Sequence, residues 1–214
     1  MDGHLLRFDK EKKLTFIDCE TYNLCLSFIN NRPWQVGLIE VKGDSIIKET
    51  DILINWPKEE HIGIGAVAAK MTRYDPHKVE TSGMTPENAF EIIDEKLKNT
   101  DYIVGHNLLG FDVYLIREYY RLMGYKTDFF LQKIIDTKCL AQGLKLSTPF
   151  NGKENLLNYQ YRMYNCPVKG IKTNLALLGK EYGIEHDYET LHDALNDLRL
   201  NVKVWNKMKW QVEI

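Results

Sequence analysis

At 214 residues the chain can bury the core of one domain without a second, and a single domain over residues 1–214 is the expectation. Its 44% apolar and 27% charged residues lie near globular averages, which excludes a disordered or fibrous chain. Lys plus Arg (28) nearly balance Asp plus Glu (30), so the molecule as a whole has no strong pull on polyanions and any nucleic-acid contact must be local.

The first element is the β-compatible run Leu14 to Asp18, followed by PWQVGLIEV, a KGD turn at 42–44 and a return through SIIKETDILIN. Short turns between three strands predict an antiparallel meander. GAVAAKMTRY reads as a short helix stopped by Asp75-Pro76. Thr85 as cap, Pro86 at the first helical position, and Phe90, Ile93 and Leu97 at helical spacing mark the next helix. DYIVGHN is a short apolar strand running into a loop. The helix after it carries Val113, Ile116, Tyr120 and Met123 on one stripe and stops at Gly124. TNLALLGKEYG repeats that grammar between Thr173 and Gly183, and a last helix runs from around Leu191 toward Lys209. Strands first, then strands alternating with helices, means a mixed α/β domain. Segment 142–173 is the least regular part.

No run approaches the roughly 18 apolar residues of a membrane span. The start, MDGHLLRFDKEKK, lacks the apolar core of a targeting signal, so no membrane association and a cytoplasmic location are expected. Cys19, Cys25, Cys139 and Cys166 form no C-x-x-C pair, which points to reduced thiols.

Three acidic fragments need explaining. In LTFIDCETYN, Asp18 and Glu20 face the same side if the strand persists through both. Two such carboxylates repel and resist desolvation, and a hard divalent cation, which takes oxygen ligands, removes both penalties. The competing reading ends the strand at Asp18 and leaves both acids solvated. Asp112, in GHNLLGFDVYLI, sits at a helix entry, where an acid can be catalytic or can simply complement the helix dipole. His106 and Asn107 are open to a turn role, and Phe111 to a core role. In ETLHDALNDLRL, Asp197 lies at the edge of an apolar stripe. His192 is five residues earlier, about 140° away around a regular helix, so both serve one site only if His192 lies on the entry turn. Asp193 shares the face of Asp197 and is the main decoy.

Together, FIDCET, GHNLLGFD and HDALND, in that order and separated by about 90 and 85 residues, resemble the three motifs of the DEDD, or DnaQ-like, 3′–5′ exonuclease superfamily. The resemblance spans roughly Leu14 to Trp205. The last motif, H-x(4)-D, is similar to that of the histidine subgroup. It implies a ribonuclease H-like fold, a five-stranded mixed sheet of order 3-2-1-4-5 flanked by helices. It further implies that Asp18, Glu20, Asp112 and Asp197 hold two Mg²⁺ or Mn²⁺ ions, some through water, with Asp18 bridging and His192 as general base. Two metals can clamp both the attacking and the leaving oxygen of a phosphodiester. An imidazole, with a reference pKa near 6.5, can take a proton from water at neutral pH.

The same resemblance places Thr21 and Tyr22 at the 3′ end of a substrate and gives Phe111 a stacking role, with His106 and Asn107 as further substrate contacts. TYN stands where the family has a small Thr-Gly pair, which alters the expected terminal-base pocket. Segment 142–173 adds Lys145, Lys153, Arg162, Lys169 and Lys172 interleaved with Phe150, Tyr159, Tyr161 and Tyr164, the ingredients of a single-strand platform or of an ordinary solvated loop.

The expected activity is removal of nucleoside 5′-monophosphates from single-stranded or frayed DNA 3′ ends. The alternatives are an RNA-trimming enzyme of oligoribonuclease or RNase T type, and an inactive nucleic-acid-binding or polymerase-docking module. A DNA polymerase is an expected partner under a proofreading role, and the sequence leaves the oligomeric state open.

Overall fold

A computed structural model describes residues 5–26, 30–127 and 129–214. Its sheet has five strands in the order β3-β2-β1-β4-β5. β1 (Lys13–Thr21), β2 (Pro33–Lys42) and β3 (Ser45–Leu53) form the antiparallel meander. β4 (Tyr102–Gly105) and β5 (Ile134–Asp136) add in parallel on the other side of β1. β1 does not stop at Asp18: it continues through Glu20, because Asp18, Cys19 and Glu20 remain paired with Gly37, Val36 and Gln35 of β2.

The helices are α1 (Ala66–Thr72), α2 (Pro76–Ser82), α3 (Pro86–Lys98), α4 (Asp112–Leu122), α5 (Thr137–Lys145), α6 (Leu156–Tyr164), α7 (Leu175–Glu181) and α8 (Ala194–Met208). α1 ends before Asp75-Pro76, at a left-handed Arg73 (φ 57°) whose amide closes back on Ala69 O, and Asp75-Pro76 instead starts α2. The Asp75 carboxylate accepts the His77 and Lys78 amides, and Pro76 fills a first-turn position that needs no N–H donor. Asn174 rather than Thr173 caps α7, by accepting the Leu177 amide. α8 begins at Ala194 rather than near Leu191, because Asp193 is extended and accepts the Asn196 amide. β5 and α5 were not marked by sequence pattern, since IID is too short for alternation to show.

One face of the sheet is covered by α8, which lies across β1, β2 and β3 with Leu198, Val202 and Trp205 buried. On β2, Gly37 is directly opposite Asp18. A Cβ built on Gly37 would lie 3.0 Å from the Ala194 Cβ and 3.1 Å from Leu198 Cδ1, so the absence of a side chain there lets the start of α8 settle onto the sheet beside Asp18.

Candidate active site

The site opens where β1 outruns its parallel neighbour. Pairing with β4 ends at Phe16↔Val104, so the last residues of β1 have no strand on that side. The Cys19 amide would be an orphaned donor at this edge. It donates instead to Asp112 Oδ1 at 3.0 Å, from the first turn of α4. Asp112 is buried and thus stitched to the backbone between Asp18 and Glu20.

From the other direction α8 brings in Asp197. Ligand oxygens of Asp18, Glu20 and Asp197 lie within 4.8 Å of one another, the one group of this kind among the described residues. Asp112 contributes to the field of the group but is not part of this three-residue cluster. Asp193 is the cap of α8, held by the Asn196 amide at 3.1 Å and by Gln35 Nε2 at 3.2 Å. His192 lies on the entry turn before α8, exposed, with a left-handed backbone at φ 68°. Its backbone N–H donates to both Asp197 carboxylate oxygens at 3.3 and 3.4 Å. A bulkier β-branched residue would fit this conformation poorly, whereas His is among the non-glycine residues enriched there.

The electrostatics are those of an acid cluster awaiting positive charge. Burial, then the charges of Asp112, Asp197 and Glu20, hold the Asp18 carboxyl well above the usual range. Burial and the Asp197 and Asp112 charges push Glu20 to about 8. Burial lifts Asp112 to about 7 against the N–H groups it accepts. Asp197 rises to about 6, again through burial, opposed by the His192 N–H. An all-oxygen donor set whose members resist ionising together fits a hard divalent cation such as Mg²⁺ or Mn²⁺.

The expected substrate contacts are distributed less simply. The Thr21 hydroxyl donates to Asn23 O at 2.7 Å. Tyr22 is buried, its ring stacked on His61 at 4.2 Å between centroids and edge-on to Tyr74. His106, in the turn after β4, places Nδ1 3.0 Å from Thr137 Oγ1, and burial with Lys138 nearby lowers its pKa to about 4. Asn107 is left-handed at φ 66°, and its side-chain oxygen accepts from Lys138 Nζ at 2.8 Å. Phe111, half-buried, is packed against the core at the N-terminus of α4. In segment 142–173, Phe150 and Tyr159 are buried edge-to-face, Arg162 pairs with Glu154 and Lys145 with Glu181. Much of the expected platform is therefore committed to the fold, while Tyr161 and Tyr164 remain exposed.

One residue that shapes the site carried no sequence signal. Asp136, fully buried at the end of β5, accepts the amides of Asn107 (3.0 Å) and Leu109 (2.9 Å) as well as those of Lys138 (2.9 Å) and Cys139 (3.4 Å). It caps α5 and at the same time fixes the loop that delivers Asp112. An aspartate before a helix advertises only the first of these roles.

The family model for exonucleases of the RNase T type matches residues 15–205. The chain belongs to this exonuclease family. It is thus a DnaQ-like 3′–5′ exonuclease domain, and the three motifs and the 3-2-1-4-5 sheet are those of the superfamily. No curated protein matches the chain at a significant level. Among solved structures, the zinc-ion-bound form of the E. coli exonuclease I complex with single-stranded DNA is similar at TM-score 0.73 and 18% identity, covering 94% of this chain and 41% of that one. The E. coli exonuclease I complex with a dT13 oligonucleotide gives TM-score 0.71, 19% identity and coverage of 93% and 41%. At such identity the likeness is one of fold, and the exonuclease domain spans about two-fifths of the length of those chains.

Proposed function

We propose that this exonuclease domain removes nucleoside 5′-monophosphates from single-stranded or frayed DNA 3′ ends, using two Mg²⁺ or Mn²⁺ ions and His192 as general base. The observation that carries this reading is the convergence of Asp18, Glu20 and Asp197, from both ends of the sequence, to within 4.8 Å beside buried Asp112. Pure binding of nucleic acid needs no such cluster, since desolvated like charges destabilise a fold that does not use them. Asp18, Glu20 and Asp197 would hold the ions, with Asp112 acting through water. When bound, such ions supply charge neutralisation and polarisation of the scissile phosphate.

The chain's own residues do the rest. The entry turn carries an exposed imidazole next to the acid that anchors its backbone, where it can accept the proton of an attacking water and return it to solvent. Asp112 holds the projecting end of β1 in place, so the two β1 acids keep a fixed spacing. That exonuclease I is recorded with single-stranded DNA supports DNA ahead of RNA as the substrate.

The test is stepwise shortening of a 5′-labelled single-stranded DNA, with duplex DNA and RNA of the same sequence alongside. A product ladder shortening from the 3′ end in Mg²⁺ or Mn²⁺, lost in chelator and in Asp18→Ala, is expected. No product from the wild-type protein in either metal defeats the proposal, and equal rates on RNA and DNA defeat its DNA preference.

A further inference from the structure

On the β5 side, next to the loop that leads into Asp112, the described residues line a half-open cavity of about 360 Å³ between α5, α6 and the segment leading to α7. Its walls include Lys138, Gln142, Met163, Tyr164, Val168 and Thr173. Three contacts tie it to the loop that ends in Asp112. Lys138 Nζ donates to the Asn107 side chain at 2.8 Å. Tyr164 lies so close over Gly110 that a Cβ there would fall 2.7 Å from its ring. The Lys138 amide shares the Asp136 carboxylate with the Asn107 and Leu109 amides of that loop.

We infer that this cavity receives a nucleobase of the substrate strand, upstream of the scissile phosphate, stacked on Tyr164 with a backbone phosphate at Lys138. The inference rests on the exonuclease reading and names a specificity subsite within it. The Tyr22 ring after the first motif is buried and stacked on His61, although a second cavity adjoins it, whereas the cavity on the β5 side offers an accessible aromatic face, since Tyr164 is 42% exposed. Lys138 is 6.0 Å from the Tyr164 ring and is bonded to a neutral amide oxygen, so its charge stays available to a phosphate. Met163 and Val168 supply apolar surface for a base, and Gln142 and Thr173 supply polar edges. A cation next to an aromatic platform is the combination by which single strands are held with little regard to sequence.

The test measures kcat/KM for release of the first nucleotide from single-stranded DNAs of two to six nucleotides, each also made with one base replaced by an abasic site at successive positions. In the wild type, removal of one upstream base should cost about tenfold, a typical effect of losing one stacked base. Tyr164→Ala should lose about tenfold on the intact oligonucleotide and become insensitive to the abasic site at that position. Val168→Trp, which fills the cavity without touching the loop, should behave the same way. Losses that multiply independently at every position overturn the inference. So does a Tyr164→Ala loss that persists undiminished when every upstream position is abasic, which would mark a purely structural role under Gly110. A wild-type protein that cleaves no oligonucleotide defeats the exonuclease reading and this inference with it.

Discussion

Replacing Glu20 by glutamine should stabilise the metal-free protein at alkaline pH while abolishing most of its response to Mg²⁺. The folded structure raises the Glu20 pKa from 4.5 to about 8, chiefly by burial and then through Asp197 and Asp112. A carboxylate whose pKa is raised by folding favours the folded state in its protonated form, so stability is highest near pH 4 and declines as pH rises toward 8, where the unfolded chain has already ionised. At about 1.36 kcal/mol per pH unit, the rise is worth roughly 5 kcal/mol once Glu20 is fully charged and about 3 kcal/mol at pH 7. Burying a glutamine amide returns about 1–3 kcal/mol of that gain. Metal-free Glu20→Gln should therefore be about 2 kcal/mol more stable than wild type at pH 8.5, roughly 4–8 °C in Tm for a chain of this size. At pH 5 the advantage should vanish. Mg²⁺ at 100 times its dissociation constant should add about 2.7 kcal/mol to the wild type and far less to the variant. Thermal unfolding at pH 5, 7 and 8.5, with chelator or with Mg²⁺, measures all of this. A variant no more stable than wild type at pH 8.5, or one stabilised by Mg²⁺ just as strongly, would refute the reasoning that these acids are held apart from solvent for a cation.

His192→Ala should lower kcat on single-stranded DNA by about 10²–10⁴ while leaving the Mg²⁺-induced rise in Tm in place, because the imidazole is assigned to the proton and not to the metal. Wild-type turnover in that variant would remove His192 from the reaction. Asp136→Ala should cost at least about 3 kcal/mol by denaturant unfolding, since several buried amides lose their acceptor at about 1–3 kcal/mol each. It should also reduce kcat by loosening the approach to Asp112, and a fully active, fully stable variant would contradict the positioning role. Asp193→Ala should cost about 1 kcal/mol through loss of the α8 cap, with Mg²⁺ affinity unchanged by calorimetry. A large loss of Mg²⁺ affinity there would make Asp193 a ligand after all.

Sequence alone determined the order and type of most elements, because alternation in β1 to β3, the Thr85-Pro86 start of α3 and the stripes of α4 and α8 are local, periodic signals. It also carried the family, through three short motifs whose order and spacing mean far more than any one of them. The place of His192 on an entry turn followed from helical geometry, since five residues cannot bring two side chains to one helix face. Tertiary structure decided what depends on distance between remote segments. Asp193 became a cap while Asp197 became a site residue, although both are acids of one helix start. Tyr22, which followed the first motif and looked available to a substrate, is closed into a stack by His61, thirty-nine positions away (61 − 22). Asp136 and Gly37 gave no local sign of their importance. One fixes a loop from a neighbouring strand and the other admits a helix from the far end of the chain, and such contacts exist only once the sheet has formed.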